Sequence, residues 1–259
     1  MRAAVRSGAT RIQCSLDLGR STSEVDLGAD FWSWQGTRYP FLAKCKERTI
    51  YYWDTDAFQP AATFAGAHVK LVPTEWGAPT FEIDGIKMLP SAECSPYDDA
   101  TRKVAFVEPA GKRLLDTCGG LGYFAAACLR SNAAAVLSFE KNAQVLWLRS
   151  LNPWSPPPDE RLRLTHGDCA DPIAALPDGS VGAILHDPPR FGIAGELYSG
   201  ALYRQFARVL GRRGRLFHYT GAPNSRSRGR DLAGEVANRL RAAGFSTEPT
   251  NDGVVAVKR

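Results

Sequence analysis

Four acidic residues stand at the ends of short apolar runs in the middle of this chain, and each is followed by turn residues. Asp116 closes Arg113-Leu114-Leu115-Asp116 and opens Thr117-Cys118-Gly119-Gly120-Leu121-Gly122. Glu140 closes Val136-Leu137-Ser138-Phe139-Glu140, and Asp168 follows Leu162-Arg163-Leu164-Thr165-His166-Gly167. Asp187 follows Val181-Gly182-Ala183-Ile184-Leu185-His186 and precedes Pro188-Pro189. A glycine turn between a strand and a helix lets the backbone approach a ligand, while the helix start offers unpaired amides. Glu140 lies about 24 residues beyond Asp116, the spacing at which a carboxylate holds a ribose. The residues therefore suit a nucleoside cofactor, with capping of strand ends as the plainer reading of each acid. The dinucleotide fingerprint Gly-x-Gly-x-x-Gly is absent, because Gly119, Gly120 and Gly122 are followed by aromatics and alanines.

These acids need a parallel sheet to bring them to one edge, since ligands of open α/β sheets bind at the carboxyl ends of strands. Strand and helix patterns alternate regularly from Arg113 onward. Helices are expected at Phe124–Arg130, Ala143–Leu151, Gly200–Leu210 and Asp231–Ala243, and closing strands at Arg215–Tyr219 and Gly253–Val257. Gly244 follows the last helix as a C-terminal cap. Before them, Pro96 to Val107 reads as a helix, acidic at Asp98 and Asp99 and basic at Arg102 and Lys103, as its dipole favours. Upstream, Ser15–Gly19, Ser23–Leu27 and Thr80–Ile86 alternate apolar and polar residues and read as strands. The expected organisation is a β-rich extension over residues 1–95 and an α/β catalytic domain over 96–259 with a Rossmann-like fold.

The order of these stations resembles the class I S-adenosylmethionine enzymes. Asp116 through Gly122 looks like their first motif, Glu140 like the acid that binds both ribose hydroxyls, Asp168 like the acid beside the adenine, and Asp187-Pro188-Pro189 like the loop facing the sulfonium. The resemblance implies that Asp116, Gly119, Gly120, Gly122, Glu140, Asp168 and Asp187 bind S-adenosylmethionine. Amino-group methyltransferases carry an aromatic directly after Asp-Pro-Pro; here Arg190 stands there and Phe191 follows. The wider block His186–Gly200, with Arg215–Tyr219, Asn224-Ser225, Ser15–Gly19, Asp84-Gly85-Ile86 and Asn152-Pro153-Trp154-Ser155, resembles a family of archaeal and bacterial methyltransferase-like proteins. That family in turn is similar to the azetidine-2-carboxylate synthases, which cyclise S-adenosylmethionine.

A sulfonium activates all three carbons bonded to it, so one bound molecule can lose its methyl group to an acceptor or close its aminocarboxypropyl arm on its own amine. Intramolecular alignment is worth ~7–11 kcal/mol, and aromatic faces hold a cation at ~0.5–2 kcal/mol each. Tyr198 and Tyr219, beside expected strand ends, are candidates for such faces, with a core role as the alternative. Asp187 and Ser225 complete the expected catalytic set, Ser225 with Asn224 at the amino-acid end of the ligand. The aromatics of the extension, Trp32, Trp34, Tyr39, Tyr51, Tyr52 and Trp53, read as its core. His186 and His218 read as strand histidines with partners rather than as bases. Cyclisation is the leading reading, methyl transfer to a small molecule the second, and a non-catalytic S-adenosylmethionine-binding regulator the third.

Composition fits this picture: 259 residues, 44% hydrophobic and 23% charged, are ordinary for a soluble globular protein. No apolar run is long enough for a bilayer, and the basic start Met1–Arg6 lacks the apolar stretch of a secretory signal, so a cytoplasmic protein without membrane contact is expected. The six cysteines lie far apart without Cys-x-x-Cys pairs, as reduced and largely buried residues would, and no metal is expected. Net charge is +5, with arginines gathered at 204–215 and 226–230. No aromatic-interleaved module accompanies them, so a small molecule rather than nucleic acid is the expected partner. Nothing in the sequence fixes an oligomeric state.

Overall fold

The computed structural model describes residues 1–221 and 231–259. The chain forms two compact units, Met1–Pro96 with Ser150–Trp154, and Tyr97–Arg149 with Ser155–Arg259.

In the first unit a short helix, α1 (Arg2–Arg6), precedes an antiparallel meander of β1 (Arg11–Cys14), β2 (Ser23–Leu27), β3 (Phe31–Trp34) and β4 (Thr37–Pro40). A hairpin of β5 (Tyr51–Asp54) and β6 (Ala57–Pro60) follows. A second antiparallel sheet holds β7 (Ala62–Phe64), β8 (His68–Val72), β9 (Thr80–Ile83) and β10 (Ile86–Lys87). Strands this short bury little, and aromatic pairs supply the anchors: Trp32 stacks on Tyr39 at 4.4 Å, and Trp53 meets Phe58 edge-on at 4.9 Å. Ser15–Gly19 is a turn, not the expected strand. The Asp17 carboxylate accepts from Ser15 Oγ, Ser21 N and Ser21 Oγ, and Leu18 takes a left-handed φ of 58°, so side-chain hydrogen bonds displace sheet pairing there. Trp154 belongs to this unit and donates its indole N–H to the Leu18 carbonyl at 3.1 Å.

The second unit starts with α2 (Pro96–Ala105) and then alternates strand and helix. Its elements are β11 (Arg113–Asp116), α3 (Tyr123–Arg130), β12 (Ala135–Glu140), α4 (Ala143–Leu151), β13 (Leu162–His166), α5 (Ala170–Ala175) and β14 (Val181–His186). A 3₁₀ turn (Gly195–Tyr198) leads to α6 (Gly200–Val209), β15 (Leu210–Tyr219), α7 (Leu232–Ala242), β16 (Phe245–Pro249) and β17 (Gly253–Lys258). The sheet order is β13-β12-β11-β14-β15-β17-β16, with β17 antiparallel to both neighbours. Leu114, Leu115, Ala183, Ile184 and Leu185 are fully buried because helices cover both faces of the parallel strands. β15 begins at Leu210, earlier than Arg215, and its pairing with β14 jumps from Val181↔Leu210 to Ala183↔Arg215. Chain direction across the sheet reverses between β11 and β14, which defines a topological switch point at their carboxyl ends.

Among the described residues, no helix is long and apolar enough to cross a membrane.

Candidate functional site at the switch point

Asp116 ends β11 and Asp187 follows β14, so the two acids flank the switch point. Asp116 is buried, and its Oδ2 accepts from Ser138 Oγ at 2.8 Å while Oδ1 has no partner. Burial raises its pKa to about 6, against the lowering effects of Ser138 and Arg149. Glu140 ends β12 and is tied by both oxygens: Oε2 accepts from Gly120 N at 2.9 Å and Oε1 from Asn142 N at 2.8 Å. Its pKa also rises through burial, opposed by those amides.

The glycine turn is shaped by a residue that sequence reasoning missed. A Cβ on Gly119 would lie 2.5 Å from Ser138 Oγ and 3.3 Å from Arg149 Nη1; one on Gly122, at φ 83°, would lie 2.6 Å from Arg149 Cζ. Arg149, from α4, is buried against this turn, and Nη1 and Nη2 have no hydrogen-bond partner. Glycine at these positions therefore makes room for a guanidinium that balances Asp116 and Glu140 electrostatically. A hydroxyl within the apolar run of β12, Ser138, was the one sequence signal of a polar centre beneath the turn.

Asp168 follows β13, the strand next to β12. β13 is the sheet edge, and the Asp168 carboxylate caps Ala170 N at 3.0 Å and pairs with the exposed Lys141 at 3.0 Å. The Ala170 amide and then Lys141 hold its pKa low.

On the other side of the switch point, a charged cluster surrounds Asp187. Lys103, 1% exposed, places Nζ 2.7 Å from Asp99 Oδ2, 4.0 Å from Asp187 Oδ2 and 3.9 Å from the centroid of Tyr219. Arg102 bridges Asp99 at 2.7 Å and Asp252 at 2.5 Å. Burial raises the Asp187 pKa to about 6, with Lys103 lowering it and Asp99 and Asp252 raising it. Burial disfavours the Lys103 ammonium, but Asp187 and Asp99 outweigh it and its pKa ends above the ordinary value. In sequence Asp99 and Lys103 were a helix-dipole pattern; only burial of this face of α2 makes them part of a site.

Tyr198 is 2% exposed within the core and donates its hydroxyl to Pro189 O at 3.0 Å. Its ring meets Phe191 edge-on at 5.3 Å and His218 at 5.2 Å. Burial, then Asp187, raises the pKa of its hydroxyl. Ser225 and Asn224 lie outside the described residues.

Both buried histidines are neutral and fully engaged. His186 Nε2 lies 2.8 Å from the Leu197 carbonyl and must donate to it, which leaves Nδ1 to accept from Thr117 Oγ1 at 2.6 Å. His218 Nδ1 donates to Tyr219 O at 2.8 Å and Nε2 accepts from Tyr203 at 2.8 Å. Burial lowers both pKa values, that of His186 to about 4. The one acceptor nitrogen of each ring is thus already occupied by a protein hydroxyl, Thr117 on His186 and Tyr203 on His218. Arg208 and Arg215, from the basic run, are used internally on Asp178 and Glu108. No group of three or more metal-ligating side chains occurs among the described residues.

Comparison with known proteins places this architecture among the class I methyltransferase folds, shared with aminopropyltransferase-like proteins. A spermidine synthase solved in complex with the transition-state analogue AdoDATO matches with a TM-score of 0.61 and 15% identity, over 82% of this chain and 79% of that one. A Streptococcus mutans protein described as a candidate SAM-dependent methyltransferase matches with a TM-score of 0.50 and 14% identity, over 85% of this chain and 57% of that one. No protein-family profile matches. The chain belongs to the family of the uncharacterized protein MJ1233 of Methanocaldococcus jannaschii, with 41% identity over 226 residues, 84% of this chain and 76% of that one.

Proposed function

We propose that this protein binds S-adenosylmethionine across the switch point and consumes it by intramolecular cyclisation, releasing azetidine-2-carboxylate and methylthioadenosine. The residues present fit the ligand. Asp116 Oδ1, a buried acceptor without a donor, and Glu140 supply the polar wall for the nucleoside. Around Asp187 three carboxylates, Asp99, Asp187 and Asp252, face two cations, Lys103 and Arg102, which leaves a net charge of −1 to receive a sulfonium.

One observation supports the choice of reaction: the position after Asp-Pro-Pro, aromatic in amino-group methyltransferases, is held by the exposed Arg190. Phe191, the aromatic nearest Asp-Pro-Pro, is displaced by one position and meets Tyr198 edge-on, so the stacking residue that a planar acceptor uses is not where that motif puts it. Closure of the arm needs no acceptor. The substrate's own amine attacks the γ-carbon, the C–S bond breaks with its electron pair on sulfur, and the amine proton leaves to solvent or Asp187. The chain's part is to bind, fold the arm and exclude water.

The test is incubation of pure protein with S-adenosylmethionine alone, followed by chromatography. Methylthioadenosine and a cyclic amino acid in equal amounts are expected. Methylthioadenosine at the no-enzyme background, with S-adenosylhomocysteine formed only when cell extract is added, would establish methyl transfer instead. Tight binding without either product would make the protein a regulator.

A further inference from the structure

The reaction end of the site contains a buried ammonium that the proposed cyclisation leaves without a task. Lys103 Nζ sits between two carboxylates, 2.7 Å from Asp99 and 4.0 Å from Asp187, with the face of Tyr219 at 3.9 Å on a further side. Two anions and an aromatic face are the elements that recognise an alkylammonium. The side chain is 1% exposed, so its tetramethylene stem is buried together with the ammonium. Arg102, engaged with Asp99 and Asp252, holds one of those two anions, Asp99, from a further side.

We propose that Asp99, Asp187 and Tyr219 form an alkylammonium cage occupied by the chain's own Lys103, and that Lys103 is a specificity-determining residue that keeps external primary amines from the reacting carbon. This rests on the reading that Asp187 faces the reacting arm. With the cage filled from within, the amine nearest the γ-carbon is that of the substrate itself. A chain with a shorter residue at 103 would leave the acids open to an amine from solution.

The test uses thermal melts of the full chain without S-adenosylmethionine. Wild type, Lys103→Ala and Lys103→Met are compared in rising n-propylammonium chloride and in equal potassium chloride. Lys103→Ala removes ammonium and stem, leaving a cavity of the kind that small ligands refill. Its Tm is expected to rise saturably with the amine, by about 5 °C above the salt control, or a cooperative transition is expected to return if the variant has none. Wild type, and Lys103→Met with its stem retained, should follow the salt control. If Lys103→Ala responds to the amine no more than to potassium, folded or not, the cage is wrong. Equal responses in wild type or Lys103→Met would place the amine elsewhere and overturn the specificity role. The melt involves no turnover, so its outcome is separate from that of the methylthioadenosine assay, which judges the reaction itself.

Discussion

The two sides of the switch point solve the problem of buried charge in opposite ways. Beside β11 and β12, Asp116 keeps an acceptor without a donor and Arg149 two nitrogens without acceptors, all out of water. Beside β14 and β15, the buried Lys103 is matched with Asp99, Asp187 and the Tyr219 ring, and Arg102 closes on Asp99 and Asp252. Unmet valences are costly, at ~1–3 kcal/mol each, and are tolerated where a ligand completes them. Met ones stabilise the apoprotein and restrict what can enter. In the proposed function the β11–β12 side is thus the one that gains by binding, and the β14–β15 side the one that stays as it is.

The sharpest way to break this contrast is to unmatch the reaction side. Lys103→Met leaves two acids without their buried cation and should lower unfolding stability by ~3–5 kcal/mol, read from urea denaturation. A loss below ~1 kcal/mol would mean that Lys103 is solvated and the two sides do not differ.

The second test addresses Asp116. Its pKa in the fold, about 6, exceeds the ordinary value of 3.8, so the folded state holds a proton that the unfolded state has lost. Stability from this group is complete below about pH 4 and is lost as pH rises through about 6, up to ~3 kcal/mol at ~1.4 kcal/mol per unit. Asp116→Asn should flatten that part of the urea-midpoint profile. The same substitution should weaken S-adenosylmethionine binding by ~1–3 kcal/mol at pH 8 by calorimetry, and wild-type affinity should fall below pH 6 as the carboxylate protonates. An unchanged profile together with unchanged affinity would remove Asp116 from the site.

The smallest effect is expected at Tyr198. Tyr198→Phe loses one hydrogen bond to Pro189 O and should cost ~0.5–1.5 kcal/mol in melts while turnover stays within a few-fold. A much larger fall in turnover than in stability would give the hydroxyl a part in the chemistry.

The α/β order was legible because fully buried parallel strands are unbroken apolar runs, and acids at their ends announce the carboxyl edge. Asp116 and Asp187 could be read this way since β11 and β14 are central. Asp168 follows β13, an edge strand, so its carboxylate also meets solvent and Lys141, a neighbour that the strand-end pattern does not announce. Asp17 shows the local limit: alternation alone reads Ser15–Gly19 as extended, but a carboxylate that accepts three nearby donors makes a turn. Lys103 and Arg149 were illegible for a different reason. A lysine four residues after an aspartate, or an arginine late in a helix, has the pattern of a solvated helix face, and only tertiary packing buries it.

The fit of Ser138 and Arg149 against Gly119 and Gly122 has an evolutionary consequence. Because a Cβ at 119 would collide with Ser138 and one at 122 with the guanidinium, residues 119 and 138 form one steric pair and residues 122 and 149 another. Relatives with alanine at 119 should carry a residue smaller than serine at 138, and relatives that keep arginine at 149 should keep glycine at 122. At 122 a shorter residue at 149 would remove the collision but not the strain of a left-handed φ of 83°, so glycine stays favoured there on two separate grounds.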